Sequence, residues 1–395
     1  MGPSKRALAG ASAIAVVTAS LFSTGAAVAQ DECNVAFSGN NLEQPRWEGN
    51  DLPNMERVVT EGGGTFDWTD ARLDSAQQQT DVETLINGGA DVLVMLAQDQ
   101  DAALAAIEIA QQNEVPIISY DRLIEDPGVF YLTFDNVKVG ELEAAAILEA
   151  VPSGNYVLIK GDPGDPNAST FLPQGWNNAG LQDKIDAGEI TVIADQFTDG
   201  WRTETALSNM ETIIDAANSS GQTIDAILAE NDSTALGVVG ALQSKGLDPV
   251  PLSGQDGDAA NLQNVAAGWQ YVDVWKNANA LGSVAGAFAL QLCEGVAPAD
   301  LTIPEGLIDA SVMPLTGAKA GPFETPGGNT VNSIVLQPTP LTQDNLNVVV
   351  DAGWIALDVL CANVDDPSRA APICADAAPA DGSTESAAPE ASAAS

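Results

Sequence analysis

The stretch "DVLVMLAQDQDAALAAIEIAQQNEVPIISYDRLIED", residues 91–126, decides the fold. An apolar run of strand length gives way to an alanine-rich helical segment, and a second apolar run then ends on Asp121 and Arg122. Strand, helix and strand in that order form one unit of a parallel sheet with helices on its faces. The same alternation extends outward. Before it come "VAFSG", a helical stretch around "MERVVTEGG", then "TFDWT" and "QQTDVETLINGG". After "VFYLTFDN" the series restarts through "NYVLIKG", "ITVIADQF", "IDAILAEN" and "VPLSGQD", so two similar α/β lobes with parallel sheets are expected. Near "YVDVWKN" the series stops. The small-residue helix "ANALGSVAGAFALQLCEG" follows, apolar around most of its surface and expected to be buried against a sheet and other helices. Glycine and proline dominate from Gly317 to Asn329, as in a surface loop.

The chain has 395 residues, 45% of them hydrophobic, enough for a large core. Its 14 basic and 55 acidic residues give a formal charge of -41, which disfavours nucleic acid and anionic lipid as partners. That charge reads as a solvated surface rather than a site. Histidine is absent, so Ser-His-Asp, Cys-His and histidine-metal chemistries are excluded. No cofactor or metal is expected. Asp99 and Asp101 read as helix-capping residues, because the ligand spacing of a calcium loop is missing.

Lys5 and Arg6, the apolar "ALAGASAIAVVTASLF" and the small-x-small Ala27-Val28-Ala29 read as an export signal over residues 1–29. The mature chain is then expected in the periplasm or at the outer face of the cytoplasmic membrane. Gln30, Asp31 and Glu32 precede Cys33 where a lipid-attachment signal needs small or apolar residues, so Cys33 reads as unlipidated. Four cysteines in an oxidising compartment allow three disulfide pairings. The spacing of Cys361 and Cys374 points to a local bridge, which leaves Cys33 and Cys293 to tie the chain's start to a distant helix. Residues 375–395, alanine, serine, proline and acid without periodicity, read as a disordered tail.

In open α/β sheets ligands sit outside the carboxyl ends of the strands. The residues there are polar: Arg46 and Trp47, Asp121 and Arg122, Asp165 and Asn167, Trp201, Asn231, Asp256, and Lys276. Alternating acceptors and donors suit the adjacent hydroxyls of a sugar, and an indole suits its C–H face. Each residue also has a plainer reading: Asp121 and Arg122 as a structural pair, Asn231 as a helix cap, either tryptophan as packing.

The runs "ISYDRLI", "FYLTFDNVKVGELEA", "VPSGNYVLIKGDPGDPNA", "IADQFTDGW", "AENDSTALGVVGAL" and "LSGQDGDAANLQNVAAG", in that order, resemble the periplasmic sugar-binding proteins of ABC importers, most of all the D-xylose-binding type. The resemblance spans about residues 34 to 360. It implies two Rossmann-like lobes joined by three hinge strands, 34–136 with 277–309 and 137–276 with 310–362, closing over one monosaccharide. It places the same ten residues around the sugar, and implies a permease as partner, a chemoreceptor as a further one, and a monomer. One position departs: a lysine of the xylose-binding relatives is matched by Asn34, which weakens xylose against glucose, arabinose or another aldose. Asp135 and Asn136 resemble a hinge corner and stand outside the expected site. The rivals are an exported glycosidase, which would need two carboxyls flanking a scissile bond, a regulator with a basic helix-turn-helix at its start, and a same-fold binder of a furanose signal.

Overall fold

The computed structural model describes residues 1–2, 32–309 and 318–375. The expected export signal beyond its second residue and the tail beyond Ala375 lie outside them. The chain first lays down β1 (Asn34–Gly39), β2 (Thr65–Asp70), β3 (Val92–Met95), β4 (Ile117–Tyr120) and β5 (Val129–Phe134). A second series follows: β6 (Gly154–Lys160), β7 (Ile190–Phe197), β8 (Ala226–Ala229), β9 (Gln255–Asp256) and β10 (Asp273–Trp275). Three late strands complete it, β11 (Gly321–Glu324), β12 (Thr330–Leu336) and β13 (Thr339–Leu341).

The first sheet has the order β11-β12-β5-β4-β3-β1-β2 and is parallel from β12 to β2. Its central strands are apolar on both sides because helices cover both faces. Val35, Phe37, Val92, Val94, Ile118 and Tyr120 enter one core, and Ala36, Leu93, Met95 and Ile117 the other. The second lobe carries β7-β6-β8 and β13-β10-β9, linked by a parallel bridge between Ile227 and Leu252. The two-lobed α/β architecture therefore stands, and the chain passes between lobes three times: after β5, after β10, and between β12 and β13.

Two expectations are corrected. Residues 310–362 were assigned to the second lobe, but β11 and β12 belong to the first sheet, where β12 pairs in parallel with β5. Within the expected surface loop 317–329, Gly321–Glu324 is an edge strand antiparallel to β12. The short connection through Gly327 and Gly328 permits only a hairpin, and Pro322 is tolerated because an edge strand need not donate on both sides.

The small-residue helix, Ala278–Cys293, is buried along most of its length and packs on Leu52–Glu61. Its small residues are what allow that approach. A Cβ at Gly282 would stand 2.2 Å from the carbonyl oxygen of Asp51. Disulfides join Cys33 to Cys293 and Cys361 to Cys374, with Cα separations of 5.9 and 5.5 Å.

The interior of the second lobe holds acids. Glu143, on helix Asn136–Ala150, is fully buried; Trp176 Nε1 donates to its Oε2 at 2.8 Å and its Oε1 has no hydrogen-bond partner. Burial raises its pKa well above the ordinary range, so the folded chain keeps a proton that the unfolded chain releases. The folded state then binds more protons, and this group's contribution to stability falls as pH rises above the ordinary Glu range. Glu143→Gln, which mimics the neutral acid, is expected to shrink the drop in melting temperature between pH 4.5 and pH 8 while matching the parent at pH 4.5. Parallel melting curves for the two proteins across that range would refute it.

Candidate functional site

Parallel strands bring their carboxyl ends to one edge of each sheet, and the two edges face each other. From the first lobe, the chain leaves β1 through residues 40–46 and a wide helical turn, Trp47–Asp51, and leaves β4 at Asp121 and Arg122. From the second lobe come Asp165 and Asn167 after β6, Trp201 after β7, Asn231 after β8, Asp256 at the end of β9 and Lys276 after β10. Asp121, Trp201 and Asp256 have φ of 62°, 57° and 109°. Non-glycine residues there cost roughly 1–3 kcal/mol each and persist only when neighbours hold them. Asp121 is held by Thr133, whose hydroxyl donates to its carbonyl at 2.8 Å.

The charged side chains converge. The Arg46 guanidinium contacts Asp256 at 2.8 Å, Asp51 at 3.1 Å and Asp121 at 3.3 Å. Lys276 Nζ lies 3.2 Å from Asp256 and 3.6 Å from Asp121. Arg122 Nε lies 2.9 Å from Asp165, and its Nη1 donates to the carbonyl of Ala97 at 3.1 Å. Arg46 to Asp256, Arg122 to Asp165 and Lys276 to Asp121 all run from one lobe to the other. These side chains are buried. Burial opposes the Arg46 charge, but Asp51, Asp121 and Asp256 outweigh it and hold its pKa well above the ordinary value. Burial likewise opposes the Asp121 carboxylate, and Lys276, Arg46 and Arg122 outweigh it and lower its pKa. Burial wins at Asp165, raising its pKa despite Arg122.

The amides extend this network. Asn167 Nδ2 donates to the carbonyl of Asp121 at 3.4 Å, and its Oδ1 accepts from Asn136 Nδ2 at 2.9 Å. Asn231 is indeed a helix cap, its Oδ1 accepting from the N–H of Thr234, and this leaves its amide Nδ2 over. Trp47 packs in the first-lobe core with the Arg46 guanidinium 4.1 Å above its ring. It thereby holds Arg46 by cation–π attraction. Trp201 lies against Gly161 and lines a cavity of about 430 Å³ together with residues from 41–45, 200–204, 233–236 and 258–261; among the ten predicted residues it is the one in that lining. Its Nε1 is buried without a hydrogen-bond partner. Asp99, as expected, caps a helix, accepting from the N–H groups of Asp101 and Ala102.

Of the ten predicted residues, Arg46, Asp121, Arg122, Asp165, Asn167, Asp256 and Lys276 meet across the lobes, whereas Trp47 packs in the first-lobe core behind Arg46, Asn231 caps its own helix, and Trp201 lines the adjacent cavity. Asn34 joins none of these. It begins β1, at the opposite end from the cleft, donating to Gly89 and Asp91. A strand's first residue and its last lie on opposite rims of the sheet, so Asn34 stands away from the predicted site residues. Asp51 escaped sequence reading although it grips Arg46 through both oxygens and accepts from Tyr120 Oη. Its one signal is an acid five residues after Arg46. Asn136, set aside as a hinge corner, donates to the Thr133 hydroxyl, which in turn holds the Asp121 carbonyl, and to Asn167 Oδ1. Asp258, pushed up to about 7 by burial and then by Asp256, lines the cavity.

Three cations and four carboxylates (Asp51, Asp121, Asp165, Asp256) compensate one another, so an anionic ligand finds no unpaired cation. A neutral polyhydroxylated ligand finds both donors and acceptors with spare capacity: Asp121 Oδ1 is reached only by the long contacts to Arg46 and Lys276. Trp201→Ala is expected to weaken such a ligand by tenfold or more, since it removes the apolar wall. An affinity within threefold of the parent, by calorimetry on a folded variant, would remove Trp201 from the site.

Comparisons with known proteins place the chain in a family. The periplasmic binding protein domain matches residues 35–297. The chain is 36% identical over 300 residues to the D-xylose-binding periplasmic protein of Escherichia coli, covering 75% of this chain and 89% of that one. It is 34% identical over 263 residues to the D-xylose-binding periplasmic protein of Haemophilus influenzae, covering 66% and 77%. Among solved structures, an ABC transporter solute binding protein from Clostridium phytofermentans with bound β-D-glucose superposes with a TM-score of 0.71 at 28% identity, covering 83% of this chain and 99% of that one.

Proposed function

Because the chain belongs to the periplasmic binding protein family, we propose that its cleft captures a single aldose, D-xylose before D-glucose, for import across the cytoplasmic membrane. It is an exported sugar-binding component of an ABC importer. The observation that carries the ligand class is the neutralised cluster of Arg46, Asp121, Asp256 and Lys276, drawn from both lobes and closed to anions. Both xylose-binding relatives favour the pentose. Asn34, at the wrong end of β1, is no longer a reason against it.

Capture follows from the topology. Three crossings let the lobes rotate apart, and a sugar that contacts both lobes stabilises the closed arrangement, which a permease then recognises. The protein acts as a monomer in this reading, and a chemoreceptor reading the same closed form is a second partner. Capture is favoured over hydrolysis because the three predicted carboxylates of the cleft, Asp121, Asp165 and Asp256, are each paired with a cation, so none of them stands as a free nucleophile. Hydrogen bonds to charged groups contribute about 1.5–3 kcal/mol each before desolvation and ordering. Micromolar binding, about -8 kcal/mol, needs only a few of them. Calorimetry of the mature protein with D-xylose, D-glucose, L-arabinose and D-ribose, with tryptophan fluorescence in parallel, tests the proposal. One-to-one binding of an aldose with a fluorescence change is expected. Heat from none of them would overturn it.

A further inference from the structure

Asp232 follows Asn231 directly, yet its side chain serves a different loop. It is fully buried, and its Oδ2 accepts the N–H of Gly257 at 3.0 Å and of Asp258 at 2.7 Å, the two residues after Asp256. Its carbonyl accepts from Asn261 Nδ2 at 3.0 Å, and Asn261 also donates to Gln270 at 3.0 Å. Asp256, at φ 109°, needs such outside support to keep its conformation. The other oxygen, Oδ1, has no hydrogen-bond partner among the described residues. It lies over Gly254, where a Cβ would stand 2.7 Å away. Beside Gly254 runs β10, with Val274 N–H donating to the Gly254 carbonyl at 2.8 Å, and the preceding residue is Asp273, buried with both carboxyl oxygens unpartnered.

We infer that Asp232 is a positioning residue for the sugar site: it ties the loop that presents Asn231 to the loop that presents Asp256, and so aims Asp256 at Arg46 and Lys276. The inference rests on the sugar-binding reading above. Asp232 Oδ1 and the Asp273 carboxyl, brought together at Gly254 and both with spare acceptor oxygens, are satisfied when they share one proton, which donates from one to the other. Burial, and for Asp232 the opposed Asp273, holds both acids well above the ordinary carboxylate range. The other charged groups facing the pair are Asp256, the last residue of β9, Asp258 beyond it, and Glu143 from helix Asn136–Ala150, which acts on Asp273. Losing the shared proton places two like charges together under the Asp256 loop and loosens it.

The test is titration with D-xylose, or with whichever aldose binds the parent, from pH 6 to pH 9. The parent's Kd is expected to rise at least fivefold across that range. Asp258→Asn, which removes the nearby group titrating about 7, keeps the rise. Asp232→Asn abolishes it, because an amide still accepts from Gly257 and Asp258 while donating permanently to Asp273. Asp232→Ala is expected to weaken binding tenfold or more at every pH. Parent affinity in Asp232→Ala, or a pH profile of Asp232→Asn parallel to the parent's, overturns the inference while the sugar reading stands. If Asp232→Ala does not fold, the Asp232→Asn profile decides alone. A parent that binds no aldose overturns the sugar reading and this inference with it.

Discussion

Methionine in place of Arg46 is expected to weaken aldose binding by at least a hundredfold while leaving far-ultraviolet circular dichroism unchanged. Among the described residues the guanidinium is the one group in contact with Asp51, Asp121 and Asp256 together. Removing one partner of a buried ion pair costs about 3–5 kcal/mol, because the other charge stays buried and uncompensated. If closure bears that cost, it corresponds to roughly two to three and a half decades of affinity. The penalty falls on closure because Arg46 and Asp256 come from opposite lobes, and an open cleft lets water reach the orphaned carboxylates. Arg46→Lys should fall between the two, keeping the charge but losing the fork that grips both oxygens of Asp51. Unchanged affinity in Arg46→Met would place the ligand elsewhere.

The second large effect concerns stability. Replacing Cys33 and Cys293 by serine is expected to lower the unfolding free energy by up to about 5 kcal/mol, against about 3 kcal/mol for the Cys361–Cys374 pair, since the stabilisation grows with the loop closed in the unfolded chain. The first bridge spans 260 residues and the second 13. It also ties the start of β1 to the end of helix Ala278–Cys293, the element on which the Asp51 turn rests. Denaturant unfolding of the two double-serine variants compares them directly. A larger loss from the short bridge would show that native-state contacts, not loop closure, set the order.

The cleft residues were legible because strand ends are legible. A run such as "PIISYDR" marks its own carboxyl end, and parallel topology sends every such end to one side. What strand-end logic could not reach was anything whose role depends on contacts far along the chain. Asp51 sits inside a helical turn, and its importance comes from Arg46 and Tyr120 folding onto it. Asp232 looks like a residue of the first turn of a helix, and its side chain turns instead to residues 257 and 258. Asn34 was misplaced because a sequence match by proximity does not say which rim of the sheet a residue occupies.

By itself the sequence determined the two α/β series, the export signal as an expectation, the absence of histidine chemistry, and the eight polar residues and two tryptophans that follow the strands. Those follow from local periodicity and composition, which a chain carries in its own order. Only the tertiary structure decided that β11 and β12 return to the first sheet, that the cleft's charges pair across the lobes, and that Trp47 carries Arg46 on its ring. Each of these is a contact between residues distant in sequence, and long-range pairing is chosen by burial and charge compensation over the whole fold, not by any one segment.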